Sequence, residues 1–171
     1  MDAKPHWNEI QQVVDAAMNS VHHVTMATVN PDGPPHLTPI GSLMLFEACR
    51  GVYCEVFPHR FAANLDRDPR VSIMAVNNGF GFWLKSLFKG KFATLPGVRL
   101  TGRAGKRRRG TPEELQRWQK RVKHTRRLKG HALLWKDIAW VRDIHFDTFE
   151  PTYMGRMTQE LQSRLAPHKK G

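Results

Sequence analysis

Apolar runs of strand length recur along this 171-residue chain, each cut off by proline or glycine, and that punctuation limits the fold more than any other feature. The run Val24-Thr25-Met26-Ala27-Thr28-Val29 is rich in β-branched residues and stops at Asn30-Pro31-Asp32-Gly33-Pro34-Pro35. It predicts a strand leading into a hairpin turn. From His36 to Phe46, period-two alternation puts Leu37, Gly41, Leu43 and Leu45 on a core-feeding face, and His36, Thr38, Ile40, Ser42 and Met44 on the other. Pro39 has no N–H to give to a ladder. This second strand is therefore expected at an edge, or with its opening half unpaired, which leaves room for a ligand. Val52 to Phe57 predicts a third strand returning beside the second and ended by Pro58. Arg60 to Asp68 predicts a short helix broken by Pro69, and Val71 to Val76, Val98 to Ala104 and Ala139 to Phe149 predict further strands. Strands at such short intervals point to a barrel or a sandwich.

Helical periodicity is confined to a few segments. Ile10, Val13, Val14, Ala17 and Val21 form one stripe among polar residues, predicting an amphipathic helix over 1–20. Thr111-Pro112-Glu113-Glu114 has the layout of a capping box: a capping hydroxyl, a proline at the first helical position, and a glutamate three residues on. The helix it starts is expected over 111–129, with Leu115, Trp118, Val122 and Leu128 as its apolar stripe and Gly130 as its terminator. A last helix is expected over Thr158 to Leu165. At 40% hydrophobic residues, the chain holds enough apolar surface for one domain over 1–171. Its barrel strands are expected in 21–76 and 98–150, with an insertion at 77–97.

Net charge is +12, and its distribution is uneven. Residues 99–129 hold thirteen basic side chains against Glu113 and Glu114, a local excess of +11, while the remainder is near neutral. A nucleic acid or another anion would bind there through salt-sensitive phosphate contacts. The competing reading is a basic turn at Lys106 to Arg109 followed by a solvated helix face. No helix-turn-helix, zinc-finger or strand-stacking signature accompanies the charge, which argues against sequence-specific DNA reading.

The 77–97 insertion interleaves Phe80, Phe82, Trp83, Leu84, Leu87, Phe88 and Phe92 with Lys85, Lys89 and Lys91. It is open to three readings: a segment buried at a barrel end or against a second subunit, a lid placing Trp83 on the substrate side of a planar ligand, or a shallow membrane-surface insertion. No apolar run approaches the roughly 20 residues of a membrane span, and the start lacks a secretory layout, so a cytoplasmic location is expected. Cys49 and Cys54 fit neither a redox pair nor a zinc site, and are expected to be reduced and partly buried. Phosphate-loop, zinc-protease and nucleophile-elbow templates are absent, no side chain stands out as catalytic, and His22 and His23, on adjacent strand positions, are expected to face opposite ways.

What remains is an ordered set of short motifs. They are Asn30-Pro31-Asp32-Gly33, then Pro35-His36-Leu37-Thr38-Pro39-Ile40, then Val52-Tyr53-Cys54-Glu55-Val56-Phe57-Pro58-His59-Arg60, then Asn64-Leu65-Asp66-Arg67-Asp68-Pro69-Arg70-Val71. In that order the sequence resembles the pyridoxamine 5'-phosphate oxidase-like, FMN-binding split-barrel family, over Val21 to Val76 and more weakly through residues 98–104 and the last strand. The resemblance implies a mostly β fold: a six-stranded antiparallel split β-barrel with helices packed outside, and a homodimer with FMN in clefts between subunits. It places Thr38, Pro39 and Ile40 along the ring and ribityl chain. The turn containing Glu55, His59, Arg60 and Phe61 falls at the phosphate, with His59 and Arg60 facing it. The family's oxidases carry basic side chains where this chain has Thr38, Leu43 and Phe61, and a hydroxyl at Glu55, which argues against the vitamin-oxidase reaction itself. An FMN-dependent oxidoreductase of an unidentified small molecule is the implied function. The alternative is a non-catalytic split barrel holding flavin, haem or a deazaflavin, with His22, His23, His36 and His59 as candidate iron ligands.

Overall fold

In the computed structural model, residues 1–56, 59–135 and 138–165 are described. Phe57 and Pro58, given above to the end of the third strand, lie outside them. The elements are α1 (Trp7–Val21), β1 (Val24–Val29), β2 (Pro35–Ile40), β3 (Met44–Leu45), β4 (Arg50–Cys54), α2 (His59–Arg67), β5 (Arg70–Val76), α3 (Phe80–Lys89), β6 (Gly97–Arg109), α4 (Pro112–Arg121), α5 (Lys129–Trp135), β7 (Trp140–Pro151) and α6 (Gln159–Leu165), with short 3-10 turns between some of them.

Seven strands form one antiparallel sheet in the order β2-β1-β5-β6-β7-β4-β3. Six were expected, and the difference lies in the second run, which breaks between Ile40 and Met44. A Cβ on Gly41 would sit 2.9 Å from the His22 carbonyl, so here the chain passes tightly against the end of α1 and leaves the ladder. Only the tail of the run, β3, pairs with β4; its proline-bearing front pairs with β1 alone. The expectation that the third strand lies beside that front is thus corrected. Leu37, assigned to the core-feeding face, is 60% exposed.

The amphipathic stripe of α1 delivers Ile10, Val13, Val14 and Ala17 to a core shared with Ile73, Leu100, Ile144 and Phe146. Trp7 Nε1 donates to the Phe46 carbonyl at 2.7 Å and pins the helix to the β3–β4 turn. A second apolar cluster of Met44, Val52, Cys54, Trp118, Val122 and Val141 lies under α4. His22 and His23 precede β1 rather than belonging to it, and His22 ends α1 in the left-handed conformation.

The basic tract departs most from expectation. Residues 106–109 are no turn but the end of β6, which runs on to Arg109 beside β7. Arg108 donates to Asp143 and to Glu114, and Arg50 reaches the same two carboxylates at 2.9 and 3.1 Å. Arg107 and Arg109 each stack on Trp140, 4.4 Å from its ring. Glu114 also closes the predicted capping box with Thr111. Helix α4 then stops at Arg121, because Thr125 Oγ1 takes the Val122 carbonyl and the chain tightens into a 3-10 turn. Gly130 lies inside α5 rather than ending a helix, and Leu128 is exposed.

Candidate functional site

β2 and β3 are neighbours in sequence yet occupy opposite ends of the sheet, so the residues Gly41 to Leu43 must bring its two edges together. The sheet therefore curls into a barrel that stays open between the outer edge of β2 and the end of β4. Ser42 holds the β4 side: its Oγ donates to the Cys54 carbonyl and accepts from the Cys54 N–H, at 3.2 and 3.0 Å. On the other side Pro39 lies opposite Thr25 with no N–H to offer. Its missing donor falls where no strand would have used it.

A cavity of about 880 Å³ occupies this split. That is within the range of about 300–1,000 Å³ common for cofactor sites. Thr38, Pro39 and Ile40 form one wall, Cys54 and Val56 another, the end of α1 contributes Met18, Asn19 and His22, and α4 to α5 roof it over. The roof brings two tryptophans, Trp118 and Trp135, edge to face at 6.2 Å. Lys120, Arg121 and His124 stand with them. Among the described residues that line the cavity there is no carboxylate, so its field favours an anionic, partly apolar ligand. Arg121 donates to the Leu43 carbonyl at 2.6 Å, and burial of its guanidinium lowers its pKa. The Cys54 thiol is pushed up to about 12 by burial and is neutral. Trp118 Nε1 is buried with no partner among the described residues.

A second hollow of about 330 Å³ lies between the β1–β2 turn and α2, lined by Asn30, Pro31, Asp32, His59, Arg60, Ala63 and Asn64. Asn64 staples it together, donating to Thr28 Oγ1 and Asn30 Oδ1, both at 3.1 Å. This gives the Asn64-Leu65…Asp68-Pro69-Arg70-Val71 motif its physical content. Leu65 and Val71 enter the core, and Asp68 binds Arg70 through backbone and guanidinium.

The residues expected at a cofactor are thus divided. Thr38, Pro39 and Ile40 line the large cavity, and His59 and Arg60 line the second hollow. Glu55 lines neither. Its side chain is nearly buried, accepts from Arg142 Nε at 2.7 Å and from the Tyr53 hydroxyl at 3.1 Å, and pairs with Arg107. Phe61 is fully buried, edge-on to Tyr53. Trp83 is turned into the core against Phe92, its Nε1 donating to the Asn77 carbonyl, and it lines neither hollow. Of the candidate iron ligands, His22 alone lines the cavity. His23 contacts the Val21 carbonyl, His36 contacts Thr38 Oγ1, and His59 lies in the second hollow. The roof was missed: Trp118 is expected in an apolar stripe and Lys120 and Arg121 on a solvated helix face, while His124 and Trp135 carry no assignment from the sequence. The signal available was the pair of tryptophans bracketing the basic run.

Comparison with solved structures gives fold-level likenesses. An FMN-binding protein from Syntrophomonas wolfei superposes with a TM-score of 0.57 at 12% identity, covering 89% of this chain and 91% of that one. HutZ, the heme storage protein from Vibrio cholerae, gives 0.55 at 17%, with coverage of 88% and 95%. HupZ from Group A Streptococcus gives 0.53 at 19%, with 82% and 91%. No curated protein matches the chain. A family model described as pyridoxamine 5'-phosphate oxidase matches residues 10–145, well over half of the sequence. With the antiparallel sheet split beside β2 and the motif order already described, that match establishes that the chain belongs to the pyridoxamine 5'-phosphate oxidase family.

Proposed function

We propose that this protein is a homodimeric FMN-binding oxidoreductase acting on a small molecule. The observation that carries the reading is the cleft at the barrel split: proline-edged, roofed by tryptophans, and lined, among the described residues, by cations without a carboxylate. These residues fit a flat anionic cofactor. Thr38, Pro39 and Ile40 would lie along the ring, while Trp118 and Trp135 exclude water from above it. When bound, FMN supplies hydride transfer, which accounts for the absence of an evident catalytic side chain. His22 and His124 bring two imidazoles to the lining. Arg60, with His59, is the proposed phosphate anchor, its fork of donors matching phosphate oxygens. A partner subunit laid over both hollows would join the two groups of residues into one site.

Absorbance of the purified protein, followed by mass measurement of whatever denaturation releases, tests this reading. FMN at about one per subunit is expected. Arg60→Ala should lower that occupancy; unchanged occupancy would remove the phosphate assignment and leave the fold untouched. A haem-binding split barrel is the second reading, favoured by His22 in the cavity wall. A Soret band lost in His22→Ala would establish it in place of the first.

A further inference from the structure

Helix α3 is held firmly on one side and bare on the other. Ser86 is buried, Trp83 is fixed by Asn77 and Phe92, and Phe82 packs against Phe92. The opposite face carries Phe80, Leu84, Leu87 and Phe88, which are 80%, 41%, 62% and 84% exposed. At 3.6 residues per turn these four fall within an arc of about 100°. Lys85 and Lys89 both lie to one side of that arc, about 60° and about 100° beyond its edge at Phe88, exposed and in no ion pair among the described residues. Lys91, just beyond the helix, is already paired with Glu160.

We propose that this face of α3 lies on an anionic lipid surface, with the four apolar side chains entering the headgroup boundary, Lys85 meeting lipid phosphates at its edge and Lys89 adding longer-range attraction from farther round the helix. Charge decides between the occupants such a face could take. From residue 69 to residue 112 the sequence contains no Asp or Glu, so nothing on the helix or its flanks in the chain can answer the lysines. A second copy packed α3 to α3 would set lysine near lysine, within a molecule of net charge +12. An anionic bilayer offers apolar chains and negative charge in the order the helix presents them. The helix spans only ten residues, about 15 Å, and no described helix is long and apolar enough to cross a membrane, so the contact is interfacial.

Cosedimentation with vesicles tests the proposal on the full chain. Vesicles of phosphatidylcholine with about 30% phosphatidylglycerol should retain the protein and pure phosphatidylcholine should not. The double variant F80S/F88S should bind anionic vesicles about tenfold less, and K85E/K89E likewise. Both pairs are exposed, so an unchanged circular dichroism melt will confirm that the fold is intact. Absence of wild-type binding would overturn the proposal. So would binding that survives F80S/F88S, since the basic segment around α4 would then be responsible. A shift of F80S/F88S to a smaller oligomer in analytical ultracentrifugation would also overturn it, assigning the face to a second copy.

Discussion

Replacing Glu55 by glutamine separates two roles that one residue cannot both fill. The family resemblance places Glu55 at the cofactor turn, whereas in the structure its carboxylate faces Arg142, with side-chain exposures of 6% and 1%. Removing one partner of a buried pair costs about 3–5 kcal/mol, because the other charge is left without compensation. The loss here is softened. Arg142 keeps Asp66 at 2.8 Å, although Asp66 is largely exposed, and it keeps the Gly105 carbonyl; the glutamine retains an acceptor oxygen. A destabilisation of about 2–3 kcal/mol follows. For a chain of this length that is a fall of roughly 5–10 °C in Tm. Urea unfolding of Glu55→Gln, Arg142→Met and the double variant should yield a coupling energy of about 1–3 kcal/mol. Tyr53 is buried beside Glu55, and both effects hold its phenol protonated near neutral pH. A Glu55→Gln protein within about 0.5 kcal/mol of wild type would refute the argument. If that protein also lost its bound ligand, Glu55 would belong to the site after all.

Three further outcomes are expected. Glu114 is held at about 2, chiefly by its hydrogen bonds from Arg108, against an unfolded value near about 4.3. Its stabilisation is therefore complete above about pH 5 and is lost as pH falls toward 2, so urea unfolding at pH 7, 5 and 3 should show a decline on the order of 2 kcal/mol that Glu114→Gln largely abolishes. Burial raises both thiols, Cys54 to about 12, so neither Cys49 nor Cys54 should react with iodoacetamide at pH 8 until the protein unfolds; alkylation of native protein would count against the buried placement. Gly102 sits at a register shift between β6 and β7, where a Cβ would fall on the His145 carbonyl. Gly102→Ala should cost about 3 kcal/mol or prevent folding, and a variant as stable as wild type would show that the strands can part there.

Features encoded within a few residues were legible in the sequence. The Thr111 capping box, the edge position forced by Pro39, the α1 stripe and the hairpin at Asn30 to Gly33 all depend on near neighbours, and all are in the structure. Features that depend on distant partners were not. The strand character of Lys106 to Arg109 is stabilised by Asp143 and Trp140, more than thirty residues away, so the tract alone looked like a charged turn. Trp83 looked free for stacking because nothing local shows Phe92 folding back onto it. At the site, the wall at Thr38 to Ile40 was legible through its proline. The roof was not, since a basic amphipathic helix reads as surface until its partners are known.

The wiring of β6 also bears on how the protein is made. Arg108 finds Asp143 35 residues later in the sequence, and Arg99 finds Glu150 51 residues later. At about 5–20 residues per second, the ribosome leaves that arginine-rich strand without these two partners for several seconds. For that interval the nascent chain presents a polycation beside ribosomal RNA, offset by Glu55 and Glu114 but without the carboxylates of β7. Synthesis halted before Asp143 would yield a fragment whose first affinity is for the machine that produced it.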